Sequence, residues 1–312
     1  MIYPILICVV GIMLIVYFSE KLVEATVGTS LHIGLSTFLI SVIFIGFDPE
    51  NLALGSVASY EGLGGIAMGT VLGSAMVALT LALGITALIV PLEFEKVPMQ
   101  IPLLQAGAVT FFGGLCLDGS LSRLDGILLL TGYGASLYYL IYLGKGGLHI
   151  EPTSETAEVL EEEKEFGKWQ AIGMLGLSLV AIIIGSDLVV DASSTLMADM
   201  GLSDTVFGMS VLALVVSIEE LARELPAALK GRSEITIGNV MGSVLAFFLF
   251  NAGIIALVQP VTLSTDLLYF YLPVSLGMVL FVSLLMMQKL ITRWMGGVLV
   301  ISYLLFFGWG YF

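Results

Sequence analysis

The chain has 312 residues, of which 58% are hydrophobic and only 12% charged, and its 25 acidic residues outnumber 11 basic ones. This composition excludes a soluble globular domain and predicts an all-α polytopic membrane protein embedded in a lipid bilayer. The net charge of −14 resides largely in one loop and in the apolar runs, so a nucleic-acid footprint is absent.

Ten apolar runs of roughly membrane-spanning length are read, at 3–23, 33–59, 65–92, 98–117, 124–143, 169–190, 205–229, 235–259, 266–287 and 291–311. None alternates with the period of a membrane β-strand. The start, Met1-Ile-Tyr-Pro, lacks a basic n-region, so the first run is expected to be a retained helix. Cys8 and Cys116 lie inside apolar runs and suggest neither a disulfide nor a metal site.

The second run carries Gly46-Phe-Asp-Pro-Glu-Asn51. Pro49 cannot donate a backbone hydrogen bond, which frees a carbonyl of the kind transporters use to coordinate cations. The third run contains Gly69-Thr-Val-Leu-Gly73 followed by Ser74, a small-xxx-small face that lets two helices approach closely. Between the fifth and sixth runs, 145–168 reads as a solvated acidic linker; a divalent-cation sensor made of its Glu side chains is the alternative.

The seventh run holds the stretch that most needs explaining, Ser217-Ile-Glu-Glu-Leu-Ala-Arg-Glu-Leu-Pro226. A carboxylate at the centre of a bilayer helix costs about 2.5–3.5 kcal/mol, so a functional site is the default expectation. On a continuous helix Ser210, Ser217, Glu220 and Glu224 stack on one face, while Glu219 and Arg223 pair one turn apart on a neighbouring stripe. Pro226 is expected to bend or break the helix. Three acids against one Arg leave negative charge for a cation to neutralise.

The basic residues orient the chain. With the N-terminus outside, Lys21, Lys96, Lys145, Lys164, Lys168, Lys230, Arg232, Lys289 and Arg293 fall on the cytoplasmic side and only Arg123 outside. Both termini are therefore expected to be extracellular, with the linker cytoplasmic and the protein in the plasma membrane.

The two halves, 1–144 and 169–312, repeat each other. At an offset of 169, Ser41, Glu50, Ala53, Gly62, Gly69, Gly73 and Ser74 fall on Ser210, Glu219, Ala222, Gly231, Gly238, Gly242 and Ser243. Five runs per half is an odd number, which predicts inverted repeats, as in secondary transporters whose sites lie near the midplane. Asp48, Asn51 and Gly55 then occupy the positions of Ser217, Glu220 and Glu224. The candidate ligands are all oxygens: Asp48, Glu50, Asn51, Ser74, Ser210, Ser217, Glu219, Glu220, Glu224 and Ser243. With His32 and His149 read as loop or helix-end residues, the set suits Ca²⁺, Na⁺, Mg²⁺ or Mn²⁺. Protons are also candidates, because desolvated, mutually repelling carboxylates hold them tightly.

The run Gly185-Ser-Asp-Leu-Val-Val-Asp-Ala192, then Gly201-Leu-Ser-Asp-Thr-Val-Phe-Gly208, Glu220 and Gly238-Asn-Val-Met-Gly-Ser243 resembles the cation/calcium exchanger superfamily, in its prokaryotic sodium/calcium exchanger branch. The resemblance implies ten helices in two inverted halves and exchange of Ca²⁺ for Na⁺ or H⁺ by alternating access. It also implies Glu220 as a site carboxylate, with Ser217 and Ser243 beside it and Asn51, Asp48 and Ser74 as first-half equivalents. Departures are evident. The family's Glu is replaced by Asn51, its Pro residues by Glu50 and Glu219, and its Asn or Asp after Gly-Ser by Ala75 and Val244. The expected function is a secondary cation antiporter, not an enzyme. Alternatives are a transporter of the same fold for another substrate, or a non-transporting sensor or scaffold. A channel lacks a repeated filter loop, and an intramembrane protease would need two opposed catalytic acids.

Overall fold

A computed structural model describes residues 2–32, 48–93, 99–145 and 168–311. Part of the second run and nearly all of the acidic linker, His149 included, lie outside the described residues. Helix dominates because a bilayer offers no water to unpaired backbone groups, and a helix satisfies them within its own segment.

Helix α1 (Ile2–His32) and helix α6 (Lys168–Met200) are the longest, and both extend about nine residues past the expected ends of their runs. They pack along each other through Gly11 and Gly185, where a Cβ on either would come within 2.7–2.8 Å of the other's carbonyl oxygen. Their remaining faces expose Ile5, Leu6, Val9, Leu179, Val180 and Ile183, as a lipid-facing surface should.

Short α2 (Pro49–Tyr60) leads through a tight turn at Gly62, whose φ of +79° only glycine adopts readily, into α3 (Gly64–Ile89). Next come β1 (Leu92–Glu93), α4 (Gln100–Leu115), β2 (Ser120–Leu121) and α5 (Arg123–Lys145). In the second half α7 (Asp204–Val216) and α8 (Ile218–Leu229) meet at a 42° bend. Then α9 runs through Ser233–Leu245, a π-helical stretch Ala246–Asn251 and Ala252–Val258. It is followed by β3 (Val261–Thr262), α10 (Leu267–Met286), β4 (Leu290–Ile291) and α11 (Arg293–Trp309).

Among the described residues, seven helices are long and apolar enough to cross a membrane alone, and the bent α7–α8 pair makes an eighth. Helices α2 and α11 are shorter, at 12 and 17 residues. The expected break at Pro226 is not where the seventh run breaks. Helix α8 continues through Pro226 to Leu229, and the bend falls at Ser217, whose φ of −96° and ψ of 13° leave the helical region. Pro49 is the first residue of α2, where its missing N–H is no loss.

The most enclosed spans are α3 and α9. Each is interrupted by a π-helical stretch, Val77–Ala82 in α3 and Ala246–Asn251 in α9, again 169 residues apart. Gly69 and Gly73 bring α3 against the backbone of α7, where an added Cβ would meet Met209 N at 2.9 Å and Met209 O at 2.6 Å. The counterpart of that α7 stretch for Gly238 and Gly242 falls in 33–47, outside the described residues.

Two antiparallel strand pairs join the halves, β1 with β4 and β2 with β3. Beside them, Arg293 donates to the carbonyl of Ile89 at 3.3 Å and Arg123 to that of Val258 at 3.4 Å. Each guanidinium thus sits at the negative end of a core helix from the other half. Gly84 against Gly296, and Gly126 against Gly253, close the same two junctions. This interlock holds α3 and α9 at the centre, with α2 and α8 beside them.

Candidate cation site

Asp48 caps α2, its Oδ1 accepting from the Asn51 backbone N–H at 2.9 Å. That cap fixes where the α2 backbone begins and points the side chains of its first turn inward, so that Asp48, Glu50 and Asn51 are all buried. Helix α8 likewise starts inside the protein and carries Glu219 and Glu220 in its first turn. Acids are favoured at a helix start by the dipole, so the break at Ser217 lowers the cost of burying these carboxylates.

The two helix starts touch. Asn51 Nδ2 donates to Asp48 Oδ2 at 2.6 Å and reaches Ser217 Oγ, from the other half, at 3.2 Å. Ser74 of α3 donates to Asn51 Oδ1 at 2.6 Å. Glu220 is fully buried and accepts from Ser243 of α9 at 3.4 Å, so Ser74–Asn51 and Ser243–Glu220 are corresponding contacts in the two halves. Asn239 Nδ2 donates to the other Glu220 oxygen at 2.6 Å.

Arg223 lies along this group, with one nitrogen 3.0 Å from Glu219 and the other 3.7 Å from Glu220. The expected Glu219–Arg223 pair is therefore present, but the guanidinium is shared. Glu224 is also fully buried, near Glu220, Asn239 and Arg223, and among the described residues neither of its carboxylate oxygens makes a hydrogen bond of normal geometry. Asp48, Glu50 and Glu219 form a cluster in which one oxygen of each lies within 4.8 Å of the others.

Nine of the ten expected ligands thus gather around the starts of α2 and α8. Ser210 does not join them. Its hydroxyl donates to the Val206 carbonyl at 2.6 Å and bonds the Tyr311 hydroxyl at 2.8 Å. The stacking of Ser210 over Ser217 and Glu220 assumed a continuous α-helix. Instead Gly208–Leu212 is π-helical and the helix bends at Ser217, so the 3.6-residue period does not carry across.

Asn239 is not among the ten ligands expected from the sequence, although it lies inside the Gly238–Gly242 face. A signal existed: the 169-residue offset sets Asn239 on Thr70, so each small-residue face carries a polar side chain immediately after its first glycine. Both side chains are buried. Thr236 was also missed; its hydroxyl donates to the Glu224 carbonyl at 3.0 Å, tying α9 to α8.

A family model described as sodium/calcium exchanger protein matches residues 3–142 and 170–312. The sodium/calcium exchanger MaX1 of Methanosarcina acetivorans is 27% identical, with 96% of each chain covered. The putative antiporter CaxA of Alkalimonas amylolytica is 28% identical over 258 residues, covering 80% of this chain and 79% of that one. Among solved structures, the sodium-calcium exchanger NCX_Mj superposes with a TM-score of 0.62 at 24% identity, over 97% of this chain and 96% of that one, a likeness of fold. The protein is an integral membrane protein of the sodium/calcium exchanger family, within the cation/calcium exchanger superfamily.

Proposed function

We propose that this chain is a secondary active antiporter that exchanges a divalent cation, Ca²⁺ first among them, for Na⁺ or H⁺ by alternating access. The observation that carries the reading is the junction of Asn51, Ser74, Ser217, Glu220 and Ser243, where oxygens from both halves converge on two buried helix starts. Such junctions of interrupted helices are where transporters place their ions. The names of the relatives agree, since a Ca(2+)/H(+) antiporter of Bacillus subtilis, 24% identical, is among them. In this reading the chain crosses the membrane ten times, as inverted halves 1–144 and 169–312 joined by a linker at 145–168. The matched π-helical stretches and the strand pairs between the halves support it.

Proton coupling is expected to matter at least as much as Na⁺ coupling. Ala75 and Val244 supply no ligands where the family has Asn or Asp, and five clustered acids face Arg223, an excess of negative charge that protons as well as metal ions can offset. In proteoliposomes given external Ca²⁺, Mn²⁺ or Mg²⁺, uptake should respond to a pH gradient at least as strongly as to a Na⁺ gradient. Full Na⁺-driven uptake that is indifferent to pH between about 5.5 and 8.5 would overturn the proton coupling. Absence of flux for any divalent cation would overturn the antiport.

The same reading sets both termini outside the plasma membrane and the linker in the cytoplasm. A cysteine introduced at Glu61 should react with an impermeant maleimide added outside intact cells, and one at Glu161 should not. The native Cys8 and Cys116 are buried and contribute little background. The reverse labelling pattern refutes the orientation.

A further inference from the structure

Residues 219 and 220 are neighbours on α8 but point about 100° apart, as adjacent helical residues must. Glu220 turns toward Asn239 and Ser243 of α9. Glu219 turns toward Asp48 and Glu50, which flank Pro49 in the first turn of α2. One oxygen from each of these three residues lies within 4.8 Å of the others. Calcium–oxygen bonds of about 2.3–2.6 Å place ligands on opposite sides of one ion about 5 Å apart, so this spacing fits a shared ion.

A second observation points to a ligand. Glu50 is 1% exposed, and among the described residues its Oε2 has no hydrogen-bond partner. Leaving a buried carboxylate oxygen unsatisfied forfeits the hydration it had in water, a penalty that a bound cation removes. Charge leads to the same place. Asp48, Glu50, Glu219, Glu220 and Glu224 face a single guanidinium, Arg223, within this group. The excess of negative charge exceeds what one divalent cation neutralises.

We propose that Asp48, Glu50 and Glu219 form a second divalent-cation site, separate from the Glu220 group. It is made of carboxylates alone and suits hard ions such as Ca²⁺ and Mn²⁺. The proposal rests on the antiport reading above and deepens it, because a transporter with two such sites moves or senses two divalent ions per chain.

Counting bound Mn²⁺ tests it. The full chain, purified in detergent micelles and freed of metal by chelation, is titrated with Mn²⁺ while the free-ion paramagnetic resonance signal is followed. Two Mn²⁺ per chain are expected for the native protein. One is expected for Glu50→Gln, for Glu219→Gln and for Glu220→Gln, and none for Glu50→Gln combined with Glu220→Gln. A native count of one or none, or a count of two in Glu50→Gln, overturns the second site. Elution as a single symmetric species checks folding, and Glu219→Gln carries the test where Glu50→Gln does not fold. Ca²⁺ flux by the native protein, measured alongside, separates the two readings. Flux with a count of one sinks the second site and leaves the antiport, whereas no flux sinks the antiport itself.

Discussion

Glu220→Gln should abolish divalent-cation flux while leaving the protein folded. The side chain is fully buried, and its carboxylate is the charged member of the junction between the two helix starts. Glutamine keeps the size and still accepts from Asn239. It cannot supply the charge a desolvated cation needs. Removing one partner from a buried charge pair costs about 3–5 kcal/mol. At about 1.4 kcal/mol per tenfold, cation affinity should fall by a factor of at least about 100. Flux in proteoliposomes should drop to background at Ca²⁺ concentrations that saturate the native protein. Elution profile and melting temperature should change little. Glu162→Gln, in the acidic linker, should transport like the native protein. Native flux in Glu220→Gln, with loss in Glu219→Gln, would move the transport site to the Asp48–Glu50–Glu219 side of α8.

Why the place of Glu220 beside the other half could be read from the sequence, and that of Ser210 could not, comes down to helical regularity. A carboxylate in an apolar run is conspicuous because of its desolvation cost, whatever the local backbone. Its 169-residue counterpart, Asn51, could be placed without knowing any dihedral angle. Stacking Ser210 with Glu220 required an unbroken 3.6-residue period, which the π-helical Gly208–Leu212 and the bend at Ser217 do not keep. Composition carries little information on π-helical stretches, because they arise where packing outweighs ideal hydrogen-bond spacing. The bend itself did leave a trace. Ser217-Ile-Glu-Glu220 has the Ser-x-x-Glu spacing of a helix start. The Ser217 side chain makes no cap bond in α8, however, and instead accepts from Asn51 across the junction. The strand pairs that clasp the halves were also hidden, since each strand is two residues long. No periodicity emerges from so short a segment.

Arg223→Gln should make the protein's stability depend on divalent cations. Arg223 is 8% exposed and shares its guanidinium between Glu219 at 3.0 Å and Glu220 at 3.7 Å. Without it, the half-buried Glu219 and the fully buried Glu220 lose their internal counter-charge, a loss of about 3–5 kcal/mol. At about 2–4 °C per kcal/mol, that corresponds to a fall of about 10 °C in melting temperature when cations are chelated. A cation that binds only the folded state offsets the loss in proportion to the logarithm of its concentration over its dissociation constant. Millimolar Ca²⁺ should therefore restore most of the melting temperature in Arg223→Gln, with a larger shift than in the native protein. Arg223→Lys keeps the charge but replaces the planar fork with a single ammonium, so it should fall between the two. If Arg223→Gln loses the same stability with and without Ca²⁺, the guanidinium acts through packing along α8, and a cation does not stand in for it.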